Sequence, residues 1–200
     1  MSGRPRHLAV GPLLAVLAAS AVSGCAGENT ATIVQPTCEE GDDGAASNAV
    51  VLIAQSVPTA TWVPCLRTAL PLGWGFHHLD ARDGQARFWL NSNRDGDKAI
   101  EVRLERTCDT AGSTEIPSER PQMRRFERIT TTTPNFDGER YYVFEGGCIT
   151  FVFRLGGDTR GEPLALATQA VGAVNRQALV EQVREESDGR LELDPPDGSG

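Results

Sequence analysis

The sequence predicts an α+β fold: an antiparallel sheet of five or six strands, packed by a long C-terminal helix and a short N-terminal helix and held by two disulfides. Three observations carry this reading. Residues 86–91 and 100–105 alternate apolar and polar side chains with the period of two that marks a half-buried strand. Asp83-Gly84 and Glu145-Gly146-Gly147 interrupt apolar runs with the residues that tight hairpin turns require. Residues 162–186 carry Leu164, Ala167, Val171, Val174, Ala178 and Val183 at helical spacing.

In chain order, Asn48 reads as the N-cap of a short buried helix over 49–57, ended by Pro58. Residues 58–71, with Trp62, Pro64 and Cys65, read as a proline-punctuated connection. Strands at 73–81 and 86–91 flank the first turn, and in the second Ala86, Phe88 and Leu90 share one face while Arg87, Trp89 and Asn91 share the other. After a polar turn at 91–97, Ile100, Val102 and Leu104 alternate with Glu101, Arg103 and Glu105. Residues 110–122 are loop by their Gly, Ser and Pro content, and 124–132 return as a strand before Pro134. The hairpin arms 140–144 and 148–155 are apolar on both faces, which places them centrally with cover on each side. The helix over 162–186 supplies that cover, Gly189 closes it and 190–193 add an edge strand.

The front of the chain has a different logic. Arg4, Arg6 and His7 precede an apolar run from Leu8 to Val22, followed by small residues. That run is about 15 residues, short of the roughly 20 that span a bilayer. At its end, Val22-Ser23-Gly24-Cys25 resembles the lipobox of bacterial lipoproteins. The resemblance implies acylation of Cys25, cleavage before it and residence at the outer face of the cell membrane, where several acyl chains give stable anchoring. It covers the targeting stretch alone. The chain accordingly divides into a signal peptide (1–24), a flexible lipidated tether rich in Gly, Thr and acids (25–47), a single domain (48–193) and a disordered tail (194–200).

Cysteine arithmetic agrees with the lipid. Of five cysteines, Cys25 as lipid carrier leaves Cys38, Cys65, Cys108 and Cys148, an even set in an oxidising compartment. Four cysteines allow three pairings, which sequence leaves open. Cys108 ends one strand and Cys148 opens another, so a bridge between them across the sheet is natural, leaving Cys38 with Cys65. The net charge is −8 and becomes more negative when Arg4 and Arg6 leave. Such a balance disfavours nucleic acid as a partner.

The chemistry is sparse, and the sequence assigns no catalytic residue, metal-ligand set or cofactor. His77 and His78 are the histidines beyond the signal, and in regular β geometry adjacent side chains point to opposite faces. Residues 91–97 resemble the first half of an EF-hand calcium loop, with Asn91, Asn93, Asp95 and Gly96 in place. Val102, however, stands where the bidentate glutamate belongs, and a polar hairpin loop accounts for the stretch. Arg120, Arg124, Arg125 and Arg128 form the one basic cluster. They read either as ion pairs with Glu101, Glu105 or Glu127, or as a contact site for an acidic envelope polymer or partner protein. The function that follows is a non-catalytic binding or interaction module at the cell envelope. Its alternatives are a carrier of an apolar or lipid-like ligand, lined by Trp62, Trp74, Trp89 and Phe136, and an envelope hydrolase using His77 or His78 with Asp80 or Asp83.

Overall fold

The computed structural model describes residues 30–39, 45–67, 69–156 and 161–194; the signal peptide, the lipobox with Cys25, residues 40–44 of the acidic run and the tail from 195 onward lie outside the described residues. The elements are β1 (Thr30–Thr32), β2 (Thr37–Cys38), α1 (Asn48–Ser56), β3 (Trp62–Arg67), β4 (Trp74–Arg82), β5 (Gln85–Ser92) and β6 (Gly96–Glu105). They continue as β7 (Thr114–Ile116), β8 (Arg124–Thr131), β9 (Phe136–Phe144), β10 (Gly147–Leu155), α2 (Gly161–Ala170), β11 (Val171–Asn175) and α3 (Arg176–Glu186). In place of one sheet of five or six strands, eight strands form one sheet in the order β1-β4-β5-β6-β10-β9-β8-β7, and three form a second in the order β11-β3-β2.

The alternation legible in the sequence decides which face of the large sheet is buried. Ala86, Phe88 and Leu90 stand beside Ile100, Val102 and Leu104, then Ile149, Phe151 and Phe153, and all are buried. Tyr142 extends this row onto β9. The cover is α1, the small sheet, α2 and α3, which bring Val50, Ile53, Leu66, Val171, Val174, Leu164 and Leu179 into the same core. On the opposite face, residues 106–113 cross over from β6 to β7. The Cys108–Cys148 bridge pins this crossing to β10, with Cα atoms 5.9 Å apart, and Arg128 Nη1 donates to Ala111 O at 2.9 Å.

The helix over 162–186 is not continuous: β11 interrupts it. Val171, Gly172 and Val174 are poor helix formers, Gly alone costing about 1 kcal/mol against Ala, and the same residues pair in register with β3 from Val171↔Leu66 to Asn175↔Trp62. Asn175 then caps α3, its side chain accepting from Gln177 N at 2.8 Å. A buried apolar stripe spaced by three and four thus serves two short helices and a strand.

Residues 58–71 are likewise more than a connection, since β3 lies at the centre of the small sheet with five of its six residues buried. Pro64 is tolerated for a geometric reason. Leu66 N points away from β11 and donates to Pro36 O at 2.6 Å. Pro64, two residues back, turns its nitrogen the same way, beyond the reach of β2, which pairs only with Leu66 and Arg67.

Three boundaries also differ. Ser47, not Asn48, occupies the N-cap of α1, without a side-chain cap hydrogen bond. Residues 190–193 form no strand; they are tied down because buried Arg176 donates to Asp194 O and to Ala54 O, both at 2.8 Å. Within the stretch read as tether, β1 pairs antiparallel with β4, while Cys38 of β2 bridges Cys65, with Cα atoms 5.7 Å apart. The chain is engaged with the domain from Thr30.

The β9–β10 hairpin docks on the turn after α1. Thr59 and Thr61 hydroxyls donate to Gly146 O at 2.6 Å and Glu145 O at 2.9 Å. Gly146 has φ +72°, and a Cβ there would lie 1.8 Å from Thr59 O, whereas Gly84, at φ +79°, has open space around it. Gly146→Ala should therefore cost roughly 2–4 kcal/mol, the conformational penalty plus a backbone clash, and Gly84→Ala about 1 kcal/mol. Urea unfolding of the two variants measures the difference, and equal losses would contradict the tight docking.

Candidate functional site

The four arginines do not form one free patch. The register of β8 divides them: Arg124 and Arg128 stand with Val143 and Glu139 on the face away from the core, and Arg125 stands with Tyr142 on the core side. Each has a carboxylate or carbonyl partner. Arg124 makes a two-point bond to Glu115 at 2.9 and 2.8 Å. Arg125 reaches Glu119 and Glu127, both at 2.9 Å. Arg128 binds Glu139 and the Tyr141 hydroxyl. Of the glutamates expected from sequence, Glu127 takes Arg125 and Arg140, whereas Glu101 pairs with Arg103 and Glu105 accepts from Gln85.

Arg120 does something different. Its Nη2 donates to Val171 O at 2.6 Å and Thr168 O at 3.2 Å, and its guanidinium lies 4.7 Å from the centre of the Tyr142 ring. Thr168 sits in the last turn of α2, where carbonyls lack helical partners. Arg120 thus supplies from the β7–β8 loop the cationic C-terminal cap that α2 lacks in its own last turn. Burial pushes its pKa down, yet a guanidinium stays charged.

Arg120 also walls a cleft of about 290 Å³, at the small end of ligand-site volumes. One wall is Trp62 and Arg67 of β3 with Val171, Gly172 and Ala173 of β11; the other is Glu119, Pro121 and Met123 of the loop, with Thr168 and Gln169 at the end of α2. β11 is an edge strand. Gly172 leaves the wall open above the Cys38–Cys65 bridge, since a Cβ there would meet both sulfurs at 3.4 Å. Beneath the cleft a network of alternating sign runs Arg140, Glu127, Arg125, Glu119, Tyr142. Of the lining, the sequence pointed to Arg120, as a partner contact, and to Trp62, as lining for an apolar ligand. The signal for the rest was Gly172, an anomaly inside a helical pattern.

The histidines differ from the regular-strand expectation. A bulge between Phe76 and Leu79 sets two residues of β4 against one of β5, so the rings of His77 and His78 lie 4.6 Å apart. His78 stacks on Trp89 at 4.3 Å, and burial, followed by the neighbouring His77, lowers its pKa. Arg87 and Lys98 cover the same indole at 5.2 and 5.1 Å. This cluster is on the face opposite the cleft. The EF-like loop spends its oxygens on the fold: Asn91 accepts from Lys98 N at 2.9 Å, and Asp95 accepts from Ser92 Oγ at 2.8 Å and Gly156 N at 3.0 Å. The aromatics named for an apolar carrier lie apart. Trp62 is in the cleft, Trp74 in a recess with Leu72 and Asn93, Trp89 under His78, and Phe136 stacked on Phe153.

Fold and cleft together define a β-rich domain with two disulfides and a small mixed-polarity cleft at the edge of its covering layer. The chain matches no protein-family model, no curated protein and no solved structure.

The ion pairs make stability depend on acid. Burial raises the Glu139 carboxyl, but hydrogen bonds from Tyr141 and Arg128 outweigh it and hold the group below 4.5; Glu119 is held down likewise by Tyr142 and Arg125. A carboxyl depressed in the folded state contributes stability above its unfolded pKa and loses it as pH falls through the folded value. The carboxylate contribution to Tm should therefore be constant above about pH 5 and fall below about 4.5, on top of a loss that begins below about pH 6.5 from His78, whose pKa burial lowers. Glu139→Gln should be less stable at neutral pH and show a shallower acid slope; parallel slopes in thermal melts would exclude Glu139 as a contributor.

Proposed function

We propose that the chain is a membrane-anchored lipoprotein of the cell envelope whose domain binds without catalysis, taking its ligand in the cleft between β11 and the Glu119–Met123 loop. The cleft carries this reading. It offers apolar surface from Trp62 and Met123 beside cations from Arg67 and Arg120, which suits an envelope protein or polymer presenting acidic groups next to apolar ones. Its wall is held by the Arg120 cap and the Cys38–Cys65 bridge, so little ordering is required on binding. Anchorage is supported by the lipobox sequence and by cysteine usage, for the two bridges consume four of the five cysteines and leave Cys25 over.

The basic cluster enters this reading through Arg120, because Arg124, Arg125 and Arg128 are matched by glutamates. Carriage of an apolar ligand has less support, since Trp62, Trp74, Trp89 and Phe136 share no chamber among the described residues.

Two measurements test the proposal. Cys25→Ser should abolish incorporation of radiolabelled palmitate and move the protein from the membrane to the soluble fraction; wild type without label would overturn the anchorage. A photo-crosslinking amino acid at Gln169, in the cleft, should give a discrete adduct in intact cells that the same probe at Glu181, on α3, does not. Identical patterns from the two positions would overturn the cleft as the binding site.

A further inference from the structure

We infer that the β1–β4 edge of the large sheet lies against the bilayer, with Ile33 and Val34 in the membrane interface, so that the Glu119–Met123 wall of the cleft is held toward the opposite edge of the sheet. The inference rests on the proposed lipidation of Cys25. Its second support is the length of chain between that residue and the fold. Thr30 is already paired with Ala81 of β4, leaving five residue steps from Cys25. A chain spans at most about 3.6 Å per residue, so the start of β1 lies within roughly 18 Å of the anchored Cα, whatever path the chain takes. The polar headgroup layer alone occupies roughly 5–8 Å of that distance. An edge so closely leashed cannot stand clear of the surface.

The residues that follow β1 suit that position. Ile33 is 85% exposed and Val34 55%, two adjacent branched apolar side chains with no cover in the domain. The antiparallel register carries them past Leu79 along β4, toward the β4 start that follows fully exposed Leu72. Exposed His77 is on the same stretch of β4, and the next strands bring Arg87 and Lys98, cations suited to anionic headgroups. Asp80, which pairs with Arg87, tempers that charge, so apolar contact and the leash carry the proposal. β1 is also the last strand on its side of the sheet.

The consequence for the cleft follows from strand spacing. β7 lies at the opposite edge of the eight-stranded sheet, and seven gaps of about 4.8 Å put it roughly 34 Å from β1. The loop that forms one wall of the cleft joins β7 to β8, so that wall stands toward the outer edge, while the β11–β3 wall stays beside the Cys38–Cys65 bridge, six residue steps from the end of β1.

The test uses the full chain, processed in cells and reconstituted into phosphatidylcholine–phosphatidylglycerol vesicles containing a lipid spin-labelled near its headgroup. An environment-sensitive fluorescent amino acid replaces Ile33 in one protein and Glu115, on β7, in another. Mass spectrometry of the Cys25 peptide from the same preparations reports lipidation. Position 33 should be quenched at least several-fold more than position 115. Equal quenching with lipid on Cys25 would overturn the orientation and leave the anchorage standing. A Cys25 peptide without lipid would overturn the anchorage and the orientation together. In the lipidated protein labelled at position 34, Ile33→Asp should reduce the quenching; an unchanged signal would show that apolar insertion does not hold the edge down.

Discussion

The pairing of β3 with β11 is the interaction on which the rest depends. An eight-stranded sheet whose inner face is lined by Phe88, Ile100, Leu104, Ile149 and Phe151 needs a second layer. Here the two ends of the domain supply it: β2, α1 and β3 from one, α2, β11 and α3 from the other. The β3–β11 ladder fixes their relative register, and side chains fasten the join. Arg176 reaches Ala54 O at the end of α1, and Gln182 of α3 holds both the N–H and the C=O of Ala46. The charge-assisted bond of Arg176 contributes about 1.5–3 kcal/mol and each neutral bond of Gln182 about 1 kcal/mol. The layer therefore closes only when distant parts of the chain meet, a topology of high contact order.

The strands of the large sheet were legible because one side of each is wet. Alternation over 86–91 and 100–105, and the Asp83-Gly84 turn, placed β5 to within a residue and the end of β6 at Glu105, although β6 begins at Gly96, inside the stretch read as a turn. The second layer was obscure for the opposite reason. β3 is buried on both faces, so it shows no period of two, and Pro64 reads as a breaker unless the ladder on its nitrogen side is known to end. β11 shares the spacing of the helices around it because Val171 and Val174, on opposite faces of the strand, are both buried. β1 and β2 are too short and polar to announce themselves, and their order derives from partners elsewhere in the chain. The two disulfides, by contrast, match the pairing that sequence favoured among three left open, although Cys108 lies in the crossing after β6 and not at a strand end.

The candidate site was less legible than the fold, and the arginines explain why. Sequence placed Arg120, Arg124, Arg125 and Arg128 together and named glutamates near them, but which carboxylate meets which guanidinium depends on the pairing of β7, β8 and β9. Glu115, Glu119 and Glu139, the partners that matter most, are ordinary surface residues in one dimension. Burial separates Arg120 from the other three, because α2 ends where its guanidinium can cap two carbonyls. A cationic cluster on an acidic protein thus resolves into internal neutralisation plus one structural cap. The cleft emerges as a by-product of how that cap holds the loop.

The proposed anchorage would couple to the cleft through the geometry of the sheet. A disordered tether of about 20 residues would hold a domain on average about 25 Å from its anchor with no preferred direction. Engagement of the chain at Thr30 removes most of that length, and the width of the sheet, roughly 34 Å from β1 to β7, replaces it. If Cys25 is lipidated as proposed, coil and sheet give similar stand-off, but the sheet gives the domain a preferred orientation. The Glu119–Met123 wall of the cleft then stands toward the outer edge, while its β11–β3 wall stays beside the Cys38–Cys65 bridge, six residue steps from the end of β1. The short polar strand before Ile33 would thus set the orientation of the domain, although it contributes little to the core.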